Sequence, residues 1–352
     1  MKEIIKYEFQ KIWSRKIVWT GLLLLLLVNL AIAVLNGSYH VVTSDGRELF
    51  GSEAEEYVKE RTGKYTGLLN DDKAARIIKE EKPSESVEYG EYYGLPLYNY
   101  VQYIFGSEEE GGLGKTVDDY TRKGITLEVG HSQRWISLFS YLPMMILGIG
   151  TVAAIGVSGV FSEEYTRRMD ALLLTSKNGK RKCIYAKIIA SFLFALVCYG
   201  AMLLVNIVPF LLKDGIYGWD AAVQLSYEMC RLPYTFNCGQ TALCMIAGGL
   251  LGTVMITSVT LIVSVLCKSS FAAIIISFTL YVLPMLMQQL LPMNVVCMTP
   301  LGASTLEVLQ QPFVSLGGLK VLFYLKIIVA AAVLVVIMWF VTRRVFSRHQ
   351  VQ

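Results

Sequence analysis

Two short stretches of this chain put chemically capable residues side by side. Glu163-Glu164-Tyr165-Thr166-Arg167-Arg168 sets two carboxylates next to each other, with guanidinium groups four residues on. Adjacent carboxylates can activate water or hold a divalent cation when histidines complete the site. Gly111-Gly112-Leu113-Gly114-Lys115-Thr116 ends like a phosphate-binding loop, in which glycine amides and a lysine cradle an anion. Both fail on their surroundings. The three histidines, His40, His131 and His349, all lie outside the membrane-length apolar segments. The position five residues before Gly114, where such a loop needs glycine, is Glu109 in the run Glu108-Glu109-Glu110, and three carboxylates repel phosphate. The seven cysteines form no CxxC pair and no Cys/His cluster, which argues against structural zinc.

The Glu-Glu-x-x-x-Arg pattern resembles the first motif of the intramembrane CAAX-type proteases. Those enzymes place histidines in later membrane helices, and this chain has none there. No Asp, Glu, Arg or His falls in the apolar spans, which argues against a self-powered ion carrier and against an intramembrane enzyme. Asn29, Asn206, Gln288 and Gln289 are their notable polar residues. The chain is read as a non-enzyme, with no catalytic, cofactor or metal residues of its own.

The elements that carry these residues are membrane helices. Hydrophobic residues make up 54% of the 352 and charged residues only 17%, against roughly 25% in soluble domains. Mean hydropathy is +0.49. Charge-free runs occur at 17–44, 135–162, 188–212, 232–267 and 269–306, and a further apolar run at 321–342 is broken only by Lys326. With about 20 apolar residues needed per span, we read six helices near 17–36, 136–160, 188–211, 241–266, 270–291 and 321–342. Cys267-Lys268-Ser269-Ser270 then forms a tight turn between spans four and five, since a lysine at the bilayer centre is costly. Ala31-Ile32-Ala33 resembles a signal-cleavage site, but the apolar run continues past it and follows a long charged segment, so span one reads as an uncleaved anchor.

Orientation follows the lysine and arginine bias. Residues 1–16 carry Lys2, Lys6, Lys11, Arg15 and Lys16, six basic residues lie between 167 and 182, and the tail 343–352 carries Arg343, Arg344 and Arg348. Segment 37–134 holds 12 basic and 19 acidic residues, a net charge of −7. Six spans put every basic segment on one side. The expected fold class is an all-α integral membrane protein with both termini cytosolic and an extracytoplasmic domain, 37–134, inserted between spans one and two. Spans two to six occupy 135–342.

Within this frame, residues 1–16 read as a cytosolic amphipathic helix lying on the membrane surface, with Ile5, Phe9, Ile12 and Trp13 on its apolar face. In the external segment, Ser52–Arg61 and Asp71–Lys82 read as helices, the second stopped by Pro83. Tyr89, Tyr92, Tyr93, Tyr98, Tyr100 and Tyr103 suit a headgroup or core position, or a ligand surface. Segment 212–235 reads as a short outer loop. Residues 292–320, with Pro292, Pro300 and Pro312, read as an apolar loop dipping into the outer leaflet. Cys230, Cys238 and Cys297 fall near the outside, where spacing alone does not decide a disulfide. Gly148, Gly150, Gly156 and Gly159 in span two, and Gly248, Gly249 and Gly252 in span four, permit close helix approach.

The basic amphipathic entry helix, the six spans and the loop after span two together resemble the permease subunit of an ABC-2-type ABC transporter. The loop carries the resemblance most specifically: Phe161, Glu163, Arg168, the run Ala171-Leu172-Leu173-Leu174-Thr175-Ser176, Lys180-Arg181, and Lys187 entering span three. The resemblance implies a coupling helix over 161–176, within a cytosolic loop 161–187. Glu163 and Glu164 would favour its N-terminus, Arg167 and Arg168 would follow at i+4, and Met169, Leu172 and Leu173 would meet a partner. That partner would be a separate cytosolic ABC ATPase that holds the ATP and magnesium. A second permease copy or paralogue and membrane lipid would complete the assembly, without nucleic acid. The implied function is export of a lipidic, peptide or other amphipathic substrate across the plasma membrane. The alternative is a membrane sensor or immunity protein that captures an external peptide through 37–134.

Overall fold

The computed structural model describes residues 1–35, 40–43, 46–82, 95–167, 182–311, 314–316 and 319–348. Helix α1 (Lys2–Trp13) turns through 68° into α2 (Lys16–Leu35). The break falls where Ser14 and Arg15 interrupt the apolar pattern, with the Ser14 amide closing α1 on the Gln10 carbonyl. Three long helices follow the inserted segment: α7 (Gln133–Thr166), α8 (Ile184–Asp214) and α9 (Cys238–Leu266). A shorter α10 (Ser270–Leu286) and a final α11 (Tyr324–Arg348) complete the bundle. Four of these, α7, α8, α9 and α11, are each long and apolar enough to cross a membrane, and the bent α1–α2 pair makes a fifth if counted as one broken span. With 17 residues, α10 sits at the short limit of about 17–25 for a span. The one lysine of 232–306, Lys268, lies exposed in the short turn between α9 and α10.

Close helix approach is built on glycine. A Cβ on Gly150 of α7 would come within 2.3 Å of the Tyr281 ring of α10, whose hydroxyl donates to the Ile146 carbonyl at 2.8 Å. On α9, Cβ atoms at Gly248 and Gly252 would meet the backbone carbonyls of Ala303 and Pro300 at 2.4 and 2.3 Å. The partner there is not a helix. Residues 296–305, irregular between a short helix that ends at Val296 and a single turn at Gly302–Ser304, lie against α9 with Val296, Cys297, Leu301, Ala303 and Ser304 buried. This part of the segment 292–320 is packed on protein, where its carbonyls and hydroxyls can be satisfied, while 292–295 stay exposed.

Residues 40–43, 46–82 and 95–134 gather around one core at the start of α7. Two short antiparallel ladders, β1 (His40–Val42) with β2 (Glu48–Phe50) and β3 (Gly67–Leu68) with β4 (Glu128–Val129), join helices α3 (Gly51–Gly63), α4 (Asp71–Glu80), α5 (Pro96–Phe105) and α6 (Val117–Thr121). A third ladder pairs 314–316 with 319–321, so the protein is mainly helical with small strand elements. α4 starts on Asn70, whose side chain accepts from the Lys73 amide at 2.8 Å. Tyr98 and Tyr100 are core residues, while Tyr89, Tyr92 and Tyr93 lie outside the described residues. The segment 212–235, read as an outer loop, supplies Ala222, Leu225 and Cys230 to this same core. The Tyr120 hydroxyl donates to the Cys230 carbonyl at 2.8 Å, and the Ala222 amide donates to the Glu128 carbonyl at 2.9 Å. All seven cysteines are unpaired.

The glycine-rich stretch 111–116 has no free anion cradle. The amides of Gly111, Gly112, Leu113, Gly114 and Lys115 each donate to a carbonyl of residues 103–108. Thr116 then caps α6 in a reciprocal box with Asp119, which holds the Asp119 carboxyl below its usual range.

Candidate functional site

The helix that carries Glu163 and Glu164 does not begin there. α7 is 34 residues long, about 51 Å at 1.5 Å per residue, against a hydrocarbon core of ~30 Å. Both carboxylates ride on its last turn. Their position at a helix N-terminus is therefore overturned: at a C-terminus the dipole disfavours negative charge, and cations must compensate. Among the described residues, three cations do so.

Lys187, near the start of α8, is completely buried. Its Nζ donates to Glu8 Oε2 at 2.9 Å and to Glu164 Oε1. Lys11 Nζ reaches the same Glu164 oxygen at 3.3 Å. Beside this group, Arg15 Nη2 lies 3.1 Å from Glu163 Oε2, and its Nη1 donates to the Gly156 carbonyl at 3.0 Å. Gly159 makes room for that guanidinium, since a Cβ there would lie 2.6 Å from both terminal nitrogens. Lys11, Arg15 and Lys187 thus balance Glu8, Glu163 and Glu164 charge for charge. A buried charge survives only with such pairing. Cys183, one residue before α8, sits 3.9 Å from Glu8, and burial pushes its thiol up to about 11, so it remains a thiol.

An aromatic and aliphatic shell covers Lys187, Glu8 and Glu164, while Lys11, Arg15 and Glu163 keep part of their surface exposed. Ile12, Val18, Phe161, Phe194 and Phe346 are buried in one cluster, Trp13 meets Phe194 edge-on at 5.3 Å, and the Phe161 ring centroid lies 5.9 Å from the Lys187 ammonium. Hydroxyls fasten the end of α7 to the α9–α10 turn. Ser264 Oγ donates to the Ser158 carbonyl at 2.6 Å, Thr166 Oγ1 donates to the Lys268 carbonyl at 2.9 Å, and Ser162 and Ser270 share a hydrogen bond of 3.0 Å. The arrangement holds charge and position. It joins α1, α7 and α8 at the two ends of the 168–181 segment.

The apolar face of α1 is thus spoken for. Ile12 is buried, Phe9 and Trp13 pack against the shell, and Ile5 is half-buried. These residues dock on protein, and Lys2, Lys6, Tyr7 and Gln10 lie exposed on the rest of the helix. Of the residues read as partner contacts, Glu163 and Glu164 are engaged inside the protein and Arg167 is exposed. Arg168, Met169, Leu172 and Leu173 lie outside the described residues. Glu8 was missed in the sequence. Its signal is its place three residues after Ile5 and four before Ile12, an acidic residue on an apolar face.

A polytopic helical bundle with no ionised residue along most of its spans, braced at one end by buried ion pairs, is the architecture of a multi-pass membrane protein. The chain belongs to the ABC-2 family of transporter proteins, whose family model matches residues 3–311. No curated protein and no solved structure matches the chain.

Proposed function

We propose that this chain is the membrane subunit of an ATP-driven exporter. It has six spans, both termini in the cytosol and 37–134 outside, and it sits in the plasma membrane. It works with a separate ABC ATPase, which holds the ATP and magnesium, and with a second permease copy or paralogue. The cargo is lipidic, peptidic or otherwise amphipathic. Family membership supports the transport reading, and the basic bias of 1–16, 167–182 and 343–348 supports the orientation.

The observation that carries the coupling reading is the buried charge cluster. Lys187, Glu8, Glu164 and Lys11 tie α1 to the two helices from which 168–181 departs. A push delivered to that segment by a partner reaches α1, α2, α7 and α8 together. Interfaces this tightly packed respond by shifting as bodies.

The test is co-purification of the tagged full-length chain with a cytosolic ATPase, with and without Leu172→Asp and Leu173→Asp. The expected result is loss of the ATPase while the permease keeps its thermal stability. An ATPase retained by the double variant would remove the coupling role from 163–176. Transport by the purified chain alone, without ATP, would overturn the exporter reading.

A further inference from the structure

The function above leaves Lys326 unused, although it is the one charge in the last apolar run. Lys326 is the third residue of α11 and stands 17 residues before Arg343, about 26 Å along the helix axis. That separation approaches the ~30 Å hydrocarbon thickness, so the two cations sit at opposite membrane surfaces. Among the described residues Lys326 has no carboxylate partner. Its ammonium lies 5.4 Å from the centroid of the Phe323 ring, and the residue is exposed.

Beside it, α9, α10 and α11 part to leave a cleft of about 810 Å³. Met255, Leu280, Pro284, Val329 and Val333 line it, with Pro300 from the segment docked on α9, and among the described residues Lys326 is its only charged one. Val329 and Val333 are also exposed on the bundle's outer surface, so the cleft opens sideways toward lipid. The cleft is within the ~300–1,000 Å³ range of small-molecule sites, but its polarity is unusual: an apolar trough with one unneutralised cation at the headgroup level.

We propose that this cleft binds one membrane lipid with an acidic headgroup, its phosphate on Lys326 and an acyl chain laid between α10 and α11. A lysine at the interface attracts anionic lipid, and the trough supplies the apolar surface that a zwitterionic lipid would share. The headgroup charge, and not the chain, gives the preference.

The experiment uses the full-length chain in phosphatidylcholine nanodiscs with photoreactive phosphatidylglycerol or phosphatidylcholine bearing the same acyl chain. We expect the phosphatidylglycerol probe to label the 255–337 wall residues about fivefold more than its zwitterionic counterpart. Lys326→Gln should abolish that preference and leave phosphatidylcholine labelling unchanged, Lys326→Arg should keep it, and Ala330→Trp should block both probes. Equal labelling by the two probes in the wild type, or a preference that survives Lys326→Gln, would overturn the site and leave only bulk lipid. Labelling needs no ATPase, so either result stands apart from the coupling test.

Discussion

Lys187 is the residue on which the basic end of the bundle turns. With no exposed surface and two carboxylates on one ammonium, it cannot be removed without leaving negative charge buried. We expect Lys187→Met to destabilise the protein by about 3–5 kcal/mol, the usual consequence of breaking one side of a buried pair. Adding Glu8→Gln should recover part of that loss, because Lys11 still faces Glu164 and the charge balance is restored. Thermal unfolding in detergent of the single and double variants checks this; equal losses would mean that Glu8 and Lys187 are not coupled. A second residue-scale effect concerns pH. Burial holds His131 below its ordinary pKa, with Glu55 opposing the shift. The unfolded chain, titrating near ~6.5, therefore takes up protons that the folded state refuses. The stability contributed is complete above that pH and is lost progressively as pH falls below it. His131→Gln should lose less melting temperature than wild type between pH 7.5 and 5; parallel slopes would clear His131 of the effect.

At the scale of elements, the glycines of α9 matter for what they admit. Alanine in place of glycine inside a helix ordinarily gains roughly 0.5–1 kcal/mol. At Gly252 the new methyl would press on the Pro300 carbonyl, while at Gly200 of α8 nothing lies within 4 Å. Overpacking of that kind costs about 1–3 kcal/mol. Gly252→Ala should therefore lower the melting temperature and Gly200→Ala should hold or raise it. If both behave alike, 296–305 is not seated firmly on α9. The last turn of α7 follows the same logic of local demand. Its carboxylates oppose the helix dipole, and α1 answers with Lys11 and Arg15. That is why a helix that begins the chain ends up against the mouths of α7 and α8.

For the whole molecule, the 40–134 unit and the bundle are not separable pieces. Ala222, Leu225 and Cys230 come from the connection between α8 and α9 yet sit in the core of that unit, and Tyr227 meets Tyr100 and Tyr103 edge-on at 4.9 and 5.1 Å. A fragment of residues 37–134 made alone lacks this side of its core. We expect it to be protease-sensitive with poorly dispersed amide resonances, and a fusion that appends 215–237 to gain protection. A fragment that folds well alone would show the contacts to be incidental. A unit that shares its core with the α8–α9 connection is also one whose movements the bundle can feel.

Apolar runs and charge bias mark where this chain can cross a bilayer, because lipid demands about 20 uncharged residues whatever the fold. They located the helices, and Ile5, Phe9, Ile12 and Trp13 declared one face of α1. The glycines of α7 and α9 announced close contact without naming the partner. Pairing across the chain was not legible. Nothing local in Glu8 points to Lys187, 179 residues away. The resemblance implied that Glu163 and Glu164 open a coupling helix, where negative charge is favoured, and only the length of α7 placed them at its finish. Segment 212–235 read as a connection because it lies between two spans, and its apolar residues, though numerous, do not name the segment whose core they join. Sequence by itself determined which segments are long and apolar enough to cross a bilayer. The tertiary structure decided which charges neutralise each other and which loops become core, since both depend on segments that meet only when the bundle closes.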